Sequence, residues 1–304
     1  MDYGPQQEEL RALARQKNAV VLAHNYQRPE VQDAADYVGD SLGLSRTAAE
    51  IDAEIILFCG VDFMAETAAI LAPERTVILP EPRANCPMAG MVDTEGLKRL
   101  QDEHPGAITV SYVNTTAEVK ALSDVCCTSA NAAKVVSSLP ADREIIFTPD
   151  CNLGAWTARQ TGRDLILWQG YCPTHDLIEP EDIQAAREEH PEAEVVVHPE
   201  CRIEVSLLAD AVESTSGMIR YCRESSAQEF IIGTELGMIH RLEKDVPGKR
   251  FYPATRSAIC PNMKLTTLRK AVAALEAGAP VVQVPEEVRE KALRAVRRMV
   301  EIGS

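Results

Sequence analysis

Three Cys-Pro pairs, at Cys86, Cys172 and Cys260, lie 86 and 88 residues apart, and none has a second cysteine at CxxC spacing. Each is a soft metal ligand followed by a residue with a fixed φ and no N–H, which stiffens the loop carrying the thiol. The chain has nine cysteines, an odd count that argues for metal ligation or burial rather than a disulfide framework. Three thiolates make a poor structural zinc site, which normally closes at four ligands. An iron–sulfur cube carries one ligand per iron, normally from four cysteines. Three cysteines would leave one iron open to bind substrate as a Lewis acid. Any one of them alone could be a small buried hydrophobe; recurrence at one phase favours the metal.

Other chemistry-bearing positions recur at the same period. His24 in VVLAHNY, Tyr112 in ITVSYVN and His198 in VVVHPEC end β-like runs at intervals of 88 and 86. Ser41, Ser129 and Ser216 follow helix-like stretches at intervals of 88 and 87, and Phe58, Phe147 and Ile232 end a further strand at 89 and 85. Four landmarks repeating near one period indicate an internal triplication.

The elements that must position these residues follow from the same pattern. Short β-branched runs (AVVLAH, AEIILFCG, RTVILP, AITVSYVN, EIIFTPD, DLILWQG, EVVVHPE, EFIIGTE, KRFYP) alternate with segments of helical apolar spacing. That order predicts an α/β fold of three repeated α/β/α three-layer units with parallel sheets. The units are expected over 1–87, 88–173 and 174–263, with two helices in 264–304 packing back on the first. Ligands of parallel α/β units bind outside the carboxyl ends of the strands, where His24, Tyr112, His198 and the Cys-Pro pairs fall. Arrangement about a pseudo-three-fold axis would bring them to one cavity. The other six cysteines break the phase and are expected not to be ligands: Cys126, Cys127 and Cys222 in helical segments, Cys59 after a strand, Cys151 and Cys201 near strand ends.

Composition narrows the function. Lys plus Arg is 31 against 46 Asp plus Glu, a formal charge of −15. That excludes a broad basic face for nucleic acid or an anionic membrane, though a local anion site remains open. The N-terminus lacks the apolar core of a signal peptide and no window approaches about 18 apolar residues, so a cytoplasmic protein is expected.

On the stretches AHNYQRPEVQDAADYVGDSLGLSR, GVDFMAETA, SYVNTTAEVKALSDVCCTSANA, TPDCNLG, HPEC, STSGMI and the three lone cysteines, the chain resembles the quinolinate synthase family from about residue 15 onward. The resemblance implies three αβα domains about a pseudo-three-fold axis and a [4Fe–4S] cluster held by Cys86, Cys172 and Cys260. It implies a transferase that condenses iminosuccinate with dihydroxyacetone phosphate to quinolinate, releasing phosphate and water, in de novo NAD synthesis. Iminosuccinate would be supplied by an L-aspartate oxidase. Glu200 matches the family's acid/base carboxylate and His198 its substrate-binding partner. His24 and Tyr26 match residues that handle the triose and proton transfer, and Tyr112 and Asn114 match binding residues for the diacid. Ser41, Ser129, Ser214 and Thr215 match hydroxyls that hold carboxylate or phosphate, a role compatible with plain N-capping. Some members carry CxxCxxC near the C-terminus; here only Cys260 is present.

Three other functions compete. GDSL at 39–42 suggests an esterase, which needs a late His three residues after an Asp; none of the six histidines has one. An electron carrier normally wants four ligands near the surface. An aconitase-like dehydratase shares the open iron and differs in the substrate pocket.

Overall fold

The computed structural model describes residues 2–302. Met1 and residues 303–304, at the outer ends of the first and last expected ranges, lie outside the described residues.

Three consecutive stretches each build a four-stranded sheet. The first contains α1 (Gly4–Gln16), β1 (Ala19–His24), α2 (Pro29–Ala34), β2 (Tyr37–Gly39), α3 (Ser41–Glu50), β3 (Ile55–Cys59), α4 (Asp62–Leu71) and β4 (Thr76–Ile78). The second contains α5 (Thr94–Glu103), β5 (Ile108–Tyr112), α6 (Ala117–Ala121), β6 (Val125–Cys127), α7 (Ala132–Ser137), β7 (Ile145–Thr148), α8 (Cys151–Thr161) and β8 (Ile166–Leu167). In the third are α9 (Pro173–Asp176), α10 (Pro180–Glu189), β9 (Glu194–Val197), α11 (Ile203–Ser206), β10 (Ala211–Val212), α12 (Thr215–Glu224), β11 (Glu229–Gly233), α13 (Gly237–Asp245) and β12 (Arg250–Pro253). Helices α14 (Leu268–Ala277) and α15 (Glu286–Ile302) follow.

The sheets share one topology: β2-β1-β3-β4, β6-β5-β7-β8 and β10-β9-β11-β12. All their pairings are parallel. Register repeats as well, with Leu22 beside Phe58, Val110 beside Phe147 and Val196 beside Ile232. A side-chain device recurs in phase with it. Asp36, Asp124 and Asp210 each accept a hydrogen bond from the backbone N–H of Val21, Thr109 or Val195, at 2.8, 2.8 and 2.7 Å. Each Asp carboxylate thereby occupies a donor that the short edge strand beside it does not reach, answering the demand that buried backbone polar groups be paired.

Period-two alternation sorts the strands between two faces. On β1, Val20 and Leu22 join the large core with Phe58, Val110, Phe147, Val196 and Ile232, while Val21 and Ala23 face a separate cluster with α1 and α14. The second and third sheets likewise bury their other faces in clusters of their own. In α15, Ala292, Ala295, Val296 and Met299 are buried at helical spacing and join the large core.

Three features differ from the sequence expectation. The edge strands β2, β6 and β10, two or three residues long, are too short to leave a periodic signature. Cys126 and Cys127 therefore lie on β6 rather than in a helix; both are buried in the large core. The two C-terminal helices separate: α14 packs on α1 and β3 of the first unit, whereas α15 lies against α6 and β6 of the second and α4 of the first. The Ser41–Ser129 phase leads to Thr215, one residue before Ser216: Ser41 and Ser129 lie two residues after Gly39 and Cys127, which pair with His24 and Tyr112, and the pairing of Val212 with Val197 puts Glu213, two residues before Thr215, in step with His198.

Candidate active site

One cavity of about 170 Å³ takes its walls from all three units. His24, Tyr26, Ser41 and Cys86 come from the first, Tyr112, Asn114, Ser129 and Cys172 from the second, and His198, Glu200, Thr215 and Cys260 from the third. Twelve of the thirteen expected site residues thus meet. The exception is Ser214, which caps α12 by accepting from Gly217 N at 3.2 Å and lines a neighbouring cavity.

The strand-end histidines are held alike. His24 Nδ1 accepts the backbone N–H of Tyr26 at 3.1 Å, and His198 Nδ1 accepts that of Glu200 at 3.3 Å. An accepting Nδ1 leaves the proton on Nε2 of the neutral ring. On His198 that Nε2–H meets Ser129 Oγ at 3.2 Å. Burial lowers both histidines to about 3, so both rings are neutral hydrogen-bond donors at neutral pH.

Glu200 is the hub. Its Oε1 accepts from Tyr112 OH at 2.5 Å and from Asn114 Nδ2 at 3.4 Å, and its Oε2 lies 2.7 Å from His175 Nδ1. Burial alone would push its carboxyl up; the His175 ring and the Tyr112 hydroxyl outweigh burial and hold it well below the usual range. The same burial, with the Glu200 charge, pushes the Tyr112 and Tyr26 phenols well above theirs. Both phenols keep their protons while the carboxylate stays ionised.

Two residues that the sequence reading missed complete the network. His175 Nε2 lies 2.8 Å from Thr234 Oγ1, which lies 2.6 Å from Tyr26 OH. A carboxylate only accepts, so His175 donates from Nδ1 to Glu200 and accepts at Nε2 from Thr234, which accepts in turn from Tyr26. A directed path thus joins the Tyr26 phenol of the first unit to Glu200 through Thr234 and His175 of the third. His175 also stacks on His198 with ring centroids 4.7 Å apart.

The three phase-related cysteines are half-buried, free and on the cavity wall. Burial pushes the Cys86 thiol up to about 12 and raises the Cys172 and Cys260 thiols, so a bound cation is what would make thiolates favourable there. Among the described residues the group whose ligand atoms all lie within 4.8 Å of one another is Cys172, His175 and Glu200. The three cysteines do not converge that tightly, so they suit a polynuclear body better than a single ion. Cys86 and Cys260 are braced by carboxylates: Cys86 N donates to Asp62 Oδ1 at 3.2 Å and Cys260 N to Glu235 Oε1 at 3.1 Å. Asp62, Asp150 and Glu235 recur after the third strand of each unit at intervals of 88 and 85, a signal available in the sequence. The other cysteines stand apart: Cys201 is buried in the outer cluster of the third sheet with Sγ 3.5 Å from Gly233 O, and Cys59, Cys126, Cys127 and Cys222 are core residues.

Residues 8–301 match the family described as quinolinate synthetase A protein. A relative from Thermodesulfovibrio yellowstonii described as quinolinate synthase is 57% identical over 298 residues, 98% of each chain. One from Methanoregula boonei with the same description is 57% identical over 294 residues, 97% of each chain. A relative from Methanosarcina acetivorans described as quinolinate synthase 1 is 54% identical over 295 residues, again 97% of each.

Proposed function

Since the chain belongs to the quinolinate synthetase A family, we infer that this enzyme forms quinolinate for NAD biosynthesis by condensing iminosuccinate with dihydroxyacetone phosphate, releasing phosphate and water. The observation that carries the reading is the convergence of an ionised, triply hydrogen-bonded Glu200 and three phase-related cysteines on one cavity. A [4Fe–4S] cluster on Cys86, Cys172 and Cys260 would supply an iron without a cysteine ligand, a Lewis acid for a substrate oxygen.

The chain's own groups divide the remaining work. Glu200 is the general base, its carboxylate poised to take a proton from bound substrate. Tyr112 and His175 hold that carboxylate by donating hydrogen bonds to its two oxygens. Tyr26 offers a phenol proton, and the Thr234–His175 path returns proton demand to Glu200. His24 and His198 present neutral Nε2–H groups that orient oxygen atoms without adding charge. Asn114 and the hydroxyls of Ser41, Ser129 and Thr215 hold carboxylate or phosphate oxygens beside the starts of α3 and α12. Such placement fits anionic substrates in a chain of formal charge −15.

No described helix is long and apolar enough to cross a membrane; we assign the enzyme to the cytoplasm, drawing iminosuccinate from an L-aspartate oxidase. The test is anaerobic reconstitution with iron and sulfide followed by both substrates. Quinolinate detected by chromatography supports the reading. A reconstituted protein that makes none refutes it.

A further inference from the structure

On the cavity wall, at the seam between the first and third units, lies an ion pair outside the proton path. Glu235 is fully buried. One of its oxygens accepts from Cys260 N at 3.1 Å, and the other accepts from Gly237 N at 2.6 Å. Lys264 sits on the turn after Cys260, and its ammonium lies 2.9 Å from the Glu235 carboxylate. The same ammonium donates to the backbone carbonyl of Tyr26, in the first unit. Arg28 then closes the seam by donating from Nε to Lys264 O at 2.8 Å.

We propose that Glu235 and Lys264 are positioning residues: together they clamp the Cys260 loop and the Tyr26 peptide in one fixed relation. The proposal rests on the reading of Cys260 as a cluster ligand and Tyr26 as a proton donor. Two features support it. Lysine occupies this place in one repeat only, the phase-related positions being Gly90 and Asp176, so the clamp serves the one seam where a catalytic tyrosine meets a cysteine loop. Gly237 supplies the second. A Cβ there would lie 2.8 Å from Glu235 Oε2, 2.9 Å from Lys264 Nζ and 2.9 Å from the Tyr26 carbonyl carbon. The three groups converge so closely that only a glycine fits between them. At the ring end, Thr234, the neighbour of Glu235, receives the Tyr26 hydroxyl. Tyr26 is thus fixed at both its backbone and its phenol by adjacent residues of the third unit.

The test uses the reconstituted holoenzyme and reads kcat, KM, iron per chain and the rate at which a chelator strips iron. In Glu235→Gln/Lys264→Met both charges are neutralised together, so neither is left buried alone. It should load iron as wild type does, lose kcat by on the order of 10²-fold with KM little changed, and surrender iron about 10-fold faster. Gly237→Ala, with every charge in place, should shift kcat and stripping rate in the same direction. Lys264→Arg, which can still reach both acceptors, should recover most of kcat. Wild-type kcat and stripping rate in the double variant would overturn the clamp, as would slowed turnover in Lys264→Arg equal to that of the double variant. If wild type itself makes no quinolinate, the functional reading falls, while the stripping rates still decide the clamp.

Discussion

Replacing Glu200 by Gln changes one oxygen to an amide and removes a single charge from the centre of the network. Gln Oε1 still accepts from Tyr112, but the amide now presents N–H toward His175 Nδ1, where an acceptor stood 2.7 Å away. His175 must then hold its proton on Nε2, reversing its bond with Thr234 and breaking the path from Tyr26. Loss of a general base costs about 10²–10⁴-fold, or about 3–5 kcal/mol of barrier at 1.36 kcal/mol per decade. Stability moves less. Each hydrogen bond to a charged group contributes about 1.5–3 kcal/mol, partly offset by relief of a buried charge, so a loss of about 2 kcal/mol is expected. Because the folded carboxyl is held below its unfolded value, that margin over the variant is complete above about pH 4.3 and fades as pH falls through the folded value. Single-turnover quinolinate formation at pH 7 and denaturant unfolding followed from pH 7 down to about pH 2 read both effects. A variant retaining a tenth of wild-type kcat would refute Glu200 as the base.

Three further outcomes follow from other parts of the molecule. Serine at Cys86, Cys172 or Cys260 should each abolish cluster absorbance after reconstitution, whereas Cys151→Ser should keep it. The buried Asp150 is raised well above the usual carboxyl range by burial and by the Glu200 charge, and its Oδ2 has no partner. A raised folded value makes the ionised form unfavourable, so Asp150→Asn should stabilise the protein at pH 7, with the gain vanishing below about pH 4 where wild type is protonated in both states. Thr215→Val removes the 2.7 Å bond from Asn25 Nδ2 across the first and third units. About 1–3 kcal/mol of stability should be lost in thermal unfolding, with a raised KM for the anionic substrates.

What the sequence revealed was what repeats. The intervals of His24, Tyr112 and His198, and of the three cysteines, exposed the period, and the period implied three sheets with a shared centre. Departures from the repeat stayed hidden. His175 sits three residues after Cys172 on a one-turn helix, and the other two units have no histidine there, so averaging over the repeat discarded it. Lys264 was lost for the same reason. Glu235 and Asp62 were in phase and could have been found, but carboxylates at strand ends are common in an acidic chain and only their bonds to the Cys260 and Cys86 N–H groups single them out. Cys126 and Cys127 were misplaced because β6 is three residues long, and strands that short are specified by their neighbours' pairing rather than by their own pattern.

The central claim is that three cysteines, one from each structural repeat, hold a cluster whose remaining iron faces the Glu200 network. Iron analysis with EPR of the reduced, anaerobically purified protein, recorded with and without quinolinate, tests it most directly. Four irons per chain and a spectrum displaced by quinolinate are predicted. A single iron, or a four-iron spectrum that quinolinate leaves unmoved, would contradict the account.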